Sequence, residues 1–129
     1  MLVPEGDNPR VWGYITLMCS EIKLGNAHAL DDCETANRYH DFPAVKIARL
    51  AIDQRIRGHG YGDALVQFAI SIAHQDIMPR IGCRFLMAES KADALNFYKR
   101  IGFTVLNTEK NKQRRLPVVF MDLQRLRSE

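Results

Sequence analysis

Between residues 57 and 62 the chain reads Arg57-Gly58-His59-Gly60-Tyr61-Gly62, three glycines in alternation, just after the apolar run Val45 to Ile52 and at the start of a helix-patterned segment. A glycine inside a helix costs about 1 kcal/mol relative to alanine, so helix propensity does not account for them. Glycine permits a tight turn, dihedral angles closed to other residues and close approach of a ligand to bare main chain. A strand, such a turn and then a helix N-terminus make an anion site, because unpaired N–H groups and the helix dipole point the same way. The first reading of this stretch is a phosphate or pyrophosphate cradle.

The rest of the chain supplies its frame. Met1 to Val3 is a short apolar start, and Pro4 to Pro9 is a cluster of turn formers. Val11 to Ile22, rich in β-branched and aromatic residues, predicts a strand that makes a hairpin with a clipped first strand. From Lys23 to Pro43 the sequence turns polar and acidic, with Asp31, Asp32, Glu34 and Asp41, and reads as an irregular connection with or without a short helix. Val45 to Asp53 predicts a buried strand. Tyr61 to about His74 predicts a helix whose stripe is Leu65, Phe68, Ala69, Ile72 and Ala73. Ile81 to Ala88 reads as a strand, and a second helix follows with Ala94, Phe97, Tyr98 and Ile101 on one face and Gly102 at its C-cap. Phe103 to Leu106 and Leu116 to Leu123 read as closing strands around a basic hairpin loop, Lys110 to Arg115. This alternation describes one domain with a mixed sheet and helices packed on it.

Two common phosphate sites do not fit. A Walker loop needs Lys and then Ser or Thr at the helix start, where this chain has Tyr61-Gly62-Asp63. A dinucleotide fold wants an acidic residue about 20 positions on, whereas Glu89 and Ser90 lie too far along and the strand order is wrong.

The run Ala48-Arg49-Leu50-Ala51-Ile52-Asp53, the Arg-x-x-Gly-x-Gly pattern of Arg57 to Gly62 and the second-helix run Ala94 to Phe103 together resemble the GCN5-related N-acetyltransferase (GNAT) family. The resemblance covers roughly Val11 to Leu123. It implies an α/β (α+β) fold with a mixed, mostly antiparallel sheet; the strand and helices with which family members usually begin are expected to be missing here or reduced to Met1 to Val3. It also implies acetyl-CoA as co-substrate and transfer of the acetyl group to a primary amine by direct attack. On that resemblance the glycine loop, Arg57, Gly58, His59, Gly60, Tyr61 and Gly62, holds the CoA pyrophosphate, with His59 contributing mainly backbone and Arg57 facing phosphate. Leu50, Ala51 and Ile52 inherit the strand that holds pantetheine and the thioester and offers an N–H to the oxyanion. Tyr98 is the implied proton donor to the departing thiolate, since a phenol of pKa about 10 stays protonated at neutral pH. Asp53, Glu89 and the carboxylates of Asp31 to Asp41 are the candidate general bases, and none is assigned. Lys91 stands where many members place an Asn that touches the cofactor.

Composition bounds the remaining expectations. The net charge is +3 and the apolar and charged fractions are 47% and 26%, ordinary for a globular protein and short of a strongly basic nucleic-acid binder. Cys19, Cys33 and Cys83 lack metal or disulfide spacing, so no metal is expected, a reduced cytosol fits, and Cys19 and Cys83 read as small buried hydrophobes. No apolar run approaches the roughly 20 residues needed to cross a bilayer. Within the family, Trp12 to Leu17 and Pro43 to Asp53 are most similar to bacterial toxins that acetylate aminoacyl-tRNA, and Lys110, Lys112, Arg114 and Arg115 would suit a tRNA backbone. A non-catalytic cofactor-binding module and a cationic acceptor drawn to the acidic stretch are the alternatives. A homodimer covering an edge strand at Leu116 to Leu123 is a further expectation.

Overall fold

The computed structural model describes residues 12–23 and 42–126. Expectations for Met1 to Val3, the Pro4 to Pro9 turn, Cys33 and the acidic residues Asp31 to Asp41 fall outside them. Five strands form one sheet in the order β1 (Gly13–Ile22), β2 (Phe42–Ile52), β3 (Phe85–Glu89), β5 (Val118–Asp122) and β4 (Thr104–Val105). The β2–β3 pair is parallel and the other three pairs are antiparallel. Helix α1 (Tyr61–Ile72) runs on into a π-helical turn at Ala73–Ile77. Helices α2 (Leu95–Ile101) and α3 (Glu109–Lys112) follow. No helix among the described residues is long and apolar enough to cross a membrane.

Alternation along the strands sorts the core into two faces. Val45, Ile47, Leu86, Ala88, Val119 and Met121 face α1 and α2. Ala44, Phe85, Met87, Val118 and Phe120 face the other way, with Ile22 and Leu106. β3 is buried at its first four positions, which is why its sequence is continuously apolar.

Several sequence expectations are corrected. Phe68 is 58% exposed, α1 buries Leu65, Val66 and Ala69, and the π-helical turn buries Ala73, so the stripe is rotated toward Val66. Both registers satisfy helical spacing, and only contact with the sheet chooses between them. β3 starts at Phe85: Ile81 is 60% exposed, and its N–H and that of Arg80 bond to the Ile77 carbonyl, prolonging the end of α1 as a turn. β2 starts three residues before Val45, at Phe42. Cys83 is buried but Cys19 is exposed, because β1 is an outer strand of the described sheet. Leu116 to Leu123 is not an edge: β5 lies between β3 and β4, which removes the stated basis for a dimer.

The basic segment is more than a hairpin loop. Thr108 caps α3 by accepting from the Asn111 N–H at 3.1 Å. Asn111, 3% exposed, donates from Nδ2 to the carbonyls of Leu106 and Val118 at 2.7 and 3.2 Å and accepts from the Val118 N–H at 2.7 Å. One side chain thus satisfies the main chain on both sides of the β4–β5 connection. Stripping one partner from a buried polar group costs about 1–3 kcal/mol, and several are stripped here. Asn111→Ala should therefore lower unfolding free energy by about 2–4 kcal/mol in a urea titration; a loss below half that value would show that water replaces the amide.

Candidate active site

β2 and β3 are paired only from Ala44↔Phe85 to Ile47↔Ala88. Beyond that rung β2 continues to Ile52 against β1 alone. The register there steps from Leu17↔Ile47 to Thr16↔Arg49, leaving Ala48 as an extra residue in β2. Such a bulge bends and twists its strand, and it coincides with the point where β2 leaves β3. The far edge of Ala48 to Ile52 consequently presents main chain outside the β2–β3 ladder.

A cleft of about 930 Å³ lies along this stretch. Leu50 and Ile52 line it from β2, and Arg57, Gly58, Gly60, Tyr61 and Gly62 line it from the turn and the start of α1. Gly58 and Gly60 have φ of +86° and +80°, a region in which a Cβ is strained. Gly60 is the N-cap of α1 and brings no side chain to it. The first helical bond runs from the Ala64 N–H to the Gly60 carbonyl at 3.0 Å, so the N–H groups of Tyr61, Gly62 and Asp63 precede it without intrahelical partners. These donors, with the positive end of the helix, fit a pyrophosphate. Arg57 Nε donates to the Ile52 carbonyl at 3.3 Å, tying the turn to the end of β2.

Not every residue singled out from the sequence reaches this wall. The Ala51 and His59 side chains do not line the cleft, and His59 is exposed. Tyr98 is 6% exposed and packs edge-on between Phe97 and Phe103, with ring centroids 5.1 and 5.3 Å away. Burial raises its pKa above that of a free phenol. Asp53 caps the turn at Gln54–Ile56 and is bridged by Arg55 at 3.1 Å. Glu89 lies across the sheet, where a hydrogen bond from Lys46 lowers its pKa, a direction that weakens it as a base. Lys91 is exposed and does not line the cleft.

The cleft also takes residues that the sequence reading passed over. By spacing Phe97 and Ile101 belong to the core stripe, and Asp93 and Arg100 carry no motif, yet all four line it. Their signal was the spacing 93, 97, 100 and 101, one side of a helical end. Arg57 and Arg100 bring two cations to a cleft that also holds Asp63 and Asp93. Among the described residues no group of three or more His, Cys, Asp or Glu is placed to hold a metal ion.

A family model described as "Acetyltransferase (GNAT) domain" matches residues 10–105. The chain belongs to the GNAT acetyltransferase family. No curated protein matches this GNAT domain. Among solved structures, a KacTA–DNA complex is 27% identical with a TM-score of 0.72, over 95% of this chain and 65% of that one. AtaT complexed with acetyl-methionyl-tRNAfMet is 27% identical with a TM-score of 0.69, over 88% and 63%. A mutant AtaT toxin bound to the C-terminus of its antitoxin AtaR and acetyl-CoA is 26% identical with a TM-score of 0.66, over 90% and 61%. The GNAT chain described here thus spans between 61% and 65% of the length of these three.

The glycines divide into two tests. Added to Gly60, a Cβ meets nothing within 4 Å, so Gly60→Ala should cost only the left-handed backbone strain, about 1–2 kcal/mol in urea unfolding. Added to Gly62, a Cβ lies 3.6 Å from Phe97 and 3.9 Å from Ile52, bridging two walls of the cleft without a clash. Gly62→Ala should leave stability unchanged or raised by up to about 1 kcal/mol; a clear loss would show that this turn is not held as described.

Proposed function

We propose that this GNAT domain is an acetyl-CoA-dependent N-acetyltransferase that moves an acetyl group from the CoA thioester to a primary amine. The observation that carries the reading is the meeting, in one cleft, of the parted edge of β2 and the side-chain-free N-terminus of α1. One neighbour, the AtaT toxin, is described as bound to acetyl-CoA, which supports the same ligand here. The thioester supplies an acetyl carbonyl already activated for attack. The N–H groups of Gly58 to Gly62 hold the pyrophosphate, and Arg57 with Arg100 balances its charge. A main-chain N–H from the Leu50 to Ile52 stretch steadies negative charge as it develops on the carbonyl oxygen. The C–N bond forms as the C–S bond breaks; Tyr98, which adjoins the cleft through Phe97, gives its phenolic proton to the leaving sulfur, and the proton shed by the amine restores the phenol through water. Burial raises its pKa above that of a free phenol, so the group holds that proton at neutral pH and is available as the donor.

A second reading, transfer to aminoacyl-tRNA, draws on the AtaT complex with acetyl-methionyl-tRNAfMet. The basic segment supports it in part. Lys112 pairs with Glu109 at 3.3 Å and Arg114 with Glu89 at 3.3 Å, so two of its four cations are already engaged within the chain. A protein partner of the antitoxin kind belongs to this second reading, by the AtaR complex.

Calorimetry with acetyl-CoA should give saturable binding, and no binding would end the proposal. Tyr98→Phe keeps the ring between Phe97 and Phe103, so it should leave acetyl-CoA affinity and the melting temperature nearly unchanged while lowering turnover about 10²-fold or more. Equal loss of affinity and turnover would make Tyr98 a core residue only. Acetylation of charged tRNA that falls steeply with salt would favour the second reading. A failure to acetylate any amine despite tight binding would leave a binding module.

A further inference from the structure

A second cavity, of about 640 Å³, lies on the face of the sheet turned away from α1 and α2. It borders the same end of the β2–β3 ladder as the cofactor cleft, although the two share no lining residue. Lys46 pairs with Met87 and Ile47 with Ala88 on the last β2–β3 rungs, and Glu89 is the next residue of β3. Lys46 and Glu89 both line this cavity, while Leu50, three residues past Ile47, lines the cleft on the other face. An amine entering here approaches the gap in the sheet from the side opposite the cofactor cleft.

The walls of the cavity are charged and its floor is not. Lys23, Lys46, Lys110 and Arg114 face two carboxylates, Glu21 and Glu89. Lys46 Nζ donates to Glu89 Oε1 at 2.8 Å, and Arg114 Nη2 reaches the same oxygen at 3.3 Å. One carboxylate is thereby shared by two cations and aims both at one point. Arg114 is fixed again by donation from Nε to the Leu116 carbonyl at 3.1 Å. Met87, Leu106 and Val118 supply apolar surface, and buried Asn111 holds the rim.

Among the described lining residues cations outnumber carboxylates even without Lys23, and this has two effects on an incoming amine. It disfavours the ammonium form, which raises the neutral fraction that can attack a thioester. It also attracts any anionic group the amine carries, through charge-assisted hydrogen bonds to guanidinium and ammonium. We propose that this cavity is the acceptor pocket and that it takes a small primary amine bearing a carboxylate or a phosphate. The proposal rests on the acetyltransferase reading above. It runs against a polyamine acceptor, whose charge has the sign of the wall.

The test is initial-rate acetylation of matched amines: β-alanine against β-alaninamide, phosphoethanolamine against ethanolamine, and spermidine. The anionic member should win by roughly tenfold or more in kcat/KM, as one or two charge-assisted hydrogen bonds imply. Comparison of the two pairs separates a carboxylate site from a phosphate site. Lys110→Glu, at an exposed position, and Arg114→Gln should each shrink that preference several-fold while leaving acetyl-CoA affinity by calorimetry unchanged. Equal use of both members, a preference for the neutral amine or spermidine, or a preference indifferent to both substitutions overturns the proposal. Acetylation of charged tRNA with none of the small amines overturns it too. If acetyl-CoA itself does not bind, the acetyltransferase reading has failed and this inference falls with it; if it binds and the anionic preference is missing, only this inference fails.

Discussion

The separation of β2 from β3 after a few parallel rungs is the constraint on which the rest depends. A parallel pair is sustained by ladder hydrogen bonds on both strands, and here the extra residue Ala48 turns β2 away just where the pairing with β3 stops. β1 keeps its pairing to the end of β2, so the bent stretch stays ordered without β3. Main chain that would otherwise be consumed in the sheet becomes available to a ligand. Residues beside the opening line both cavities, Lys46 and Glu89 the one and Leu50 and Ile52 the other.

Packing keeps the opening from collapsing. On the helix side the rings of Phe97, Tyr98 and Phe103 meet edge to face at centroid distances of 5.1 and 5.3 Å, joining α2 to the residue just past its C-cap at Gly102. On the other face Phe42, Phe85 and Phe120 form a similar row across β2, β3 and β5, with centroids 5.8 and 6.0 Å apart. Arg84 makes a two-pronged contact with Asp122, at 2.8 and 2.7 Å, that pins the first part of β3 to the end of β5. Edge-to-face pairs of this kind are worth about 0.5–1.5 kcal/mol beyond their burial. The strands are therefore held firmly on one side of the opening, while on the other β2 has β1.

Electrostatics distinguish the two cavities. The helix-side cleft mixes Arg57 and Arg100 with Asp63 and Asp93 and relies on main-chain donors at Gly60 to Gly62. The opposite cavity relies on side-chain cations organised by Glu89. Glycine suits the pyrophosphate role proposed for the first because main-chain N–H groups need no flexible side chain to be ordered. A shared carboxylate suits the second because it fixes two long cationic side chains in advance of any ligand.

Local sequence was sufficient for the glycine turn, because φ near +80° at Gly58 and Gly60 is a property of the residues themselves. It was sufficient for the existence of α1 and α2, for the C-cap at Gly102 with φ of +123°, and for the family, because the two motifs fall at fixed positions in the chain. It was not sufficient for the buried side of α1, where Phe68 and Val66 exchange roles, nor for the interior place of β5, because helix rotation and strand order are settled by contacts between distant segments. The same holds for Phe97 and Arg100 in the cleft and for the meeting of Lys46, Glu89 and Arg114, residues 43 and 25 positions apart along the chain that share one carboxylate oxygen only after the sheet has formed.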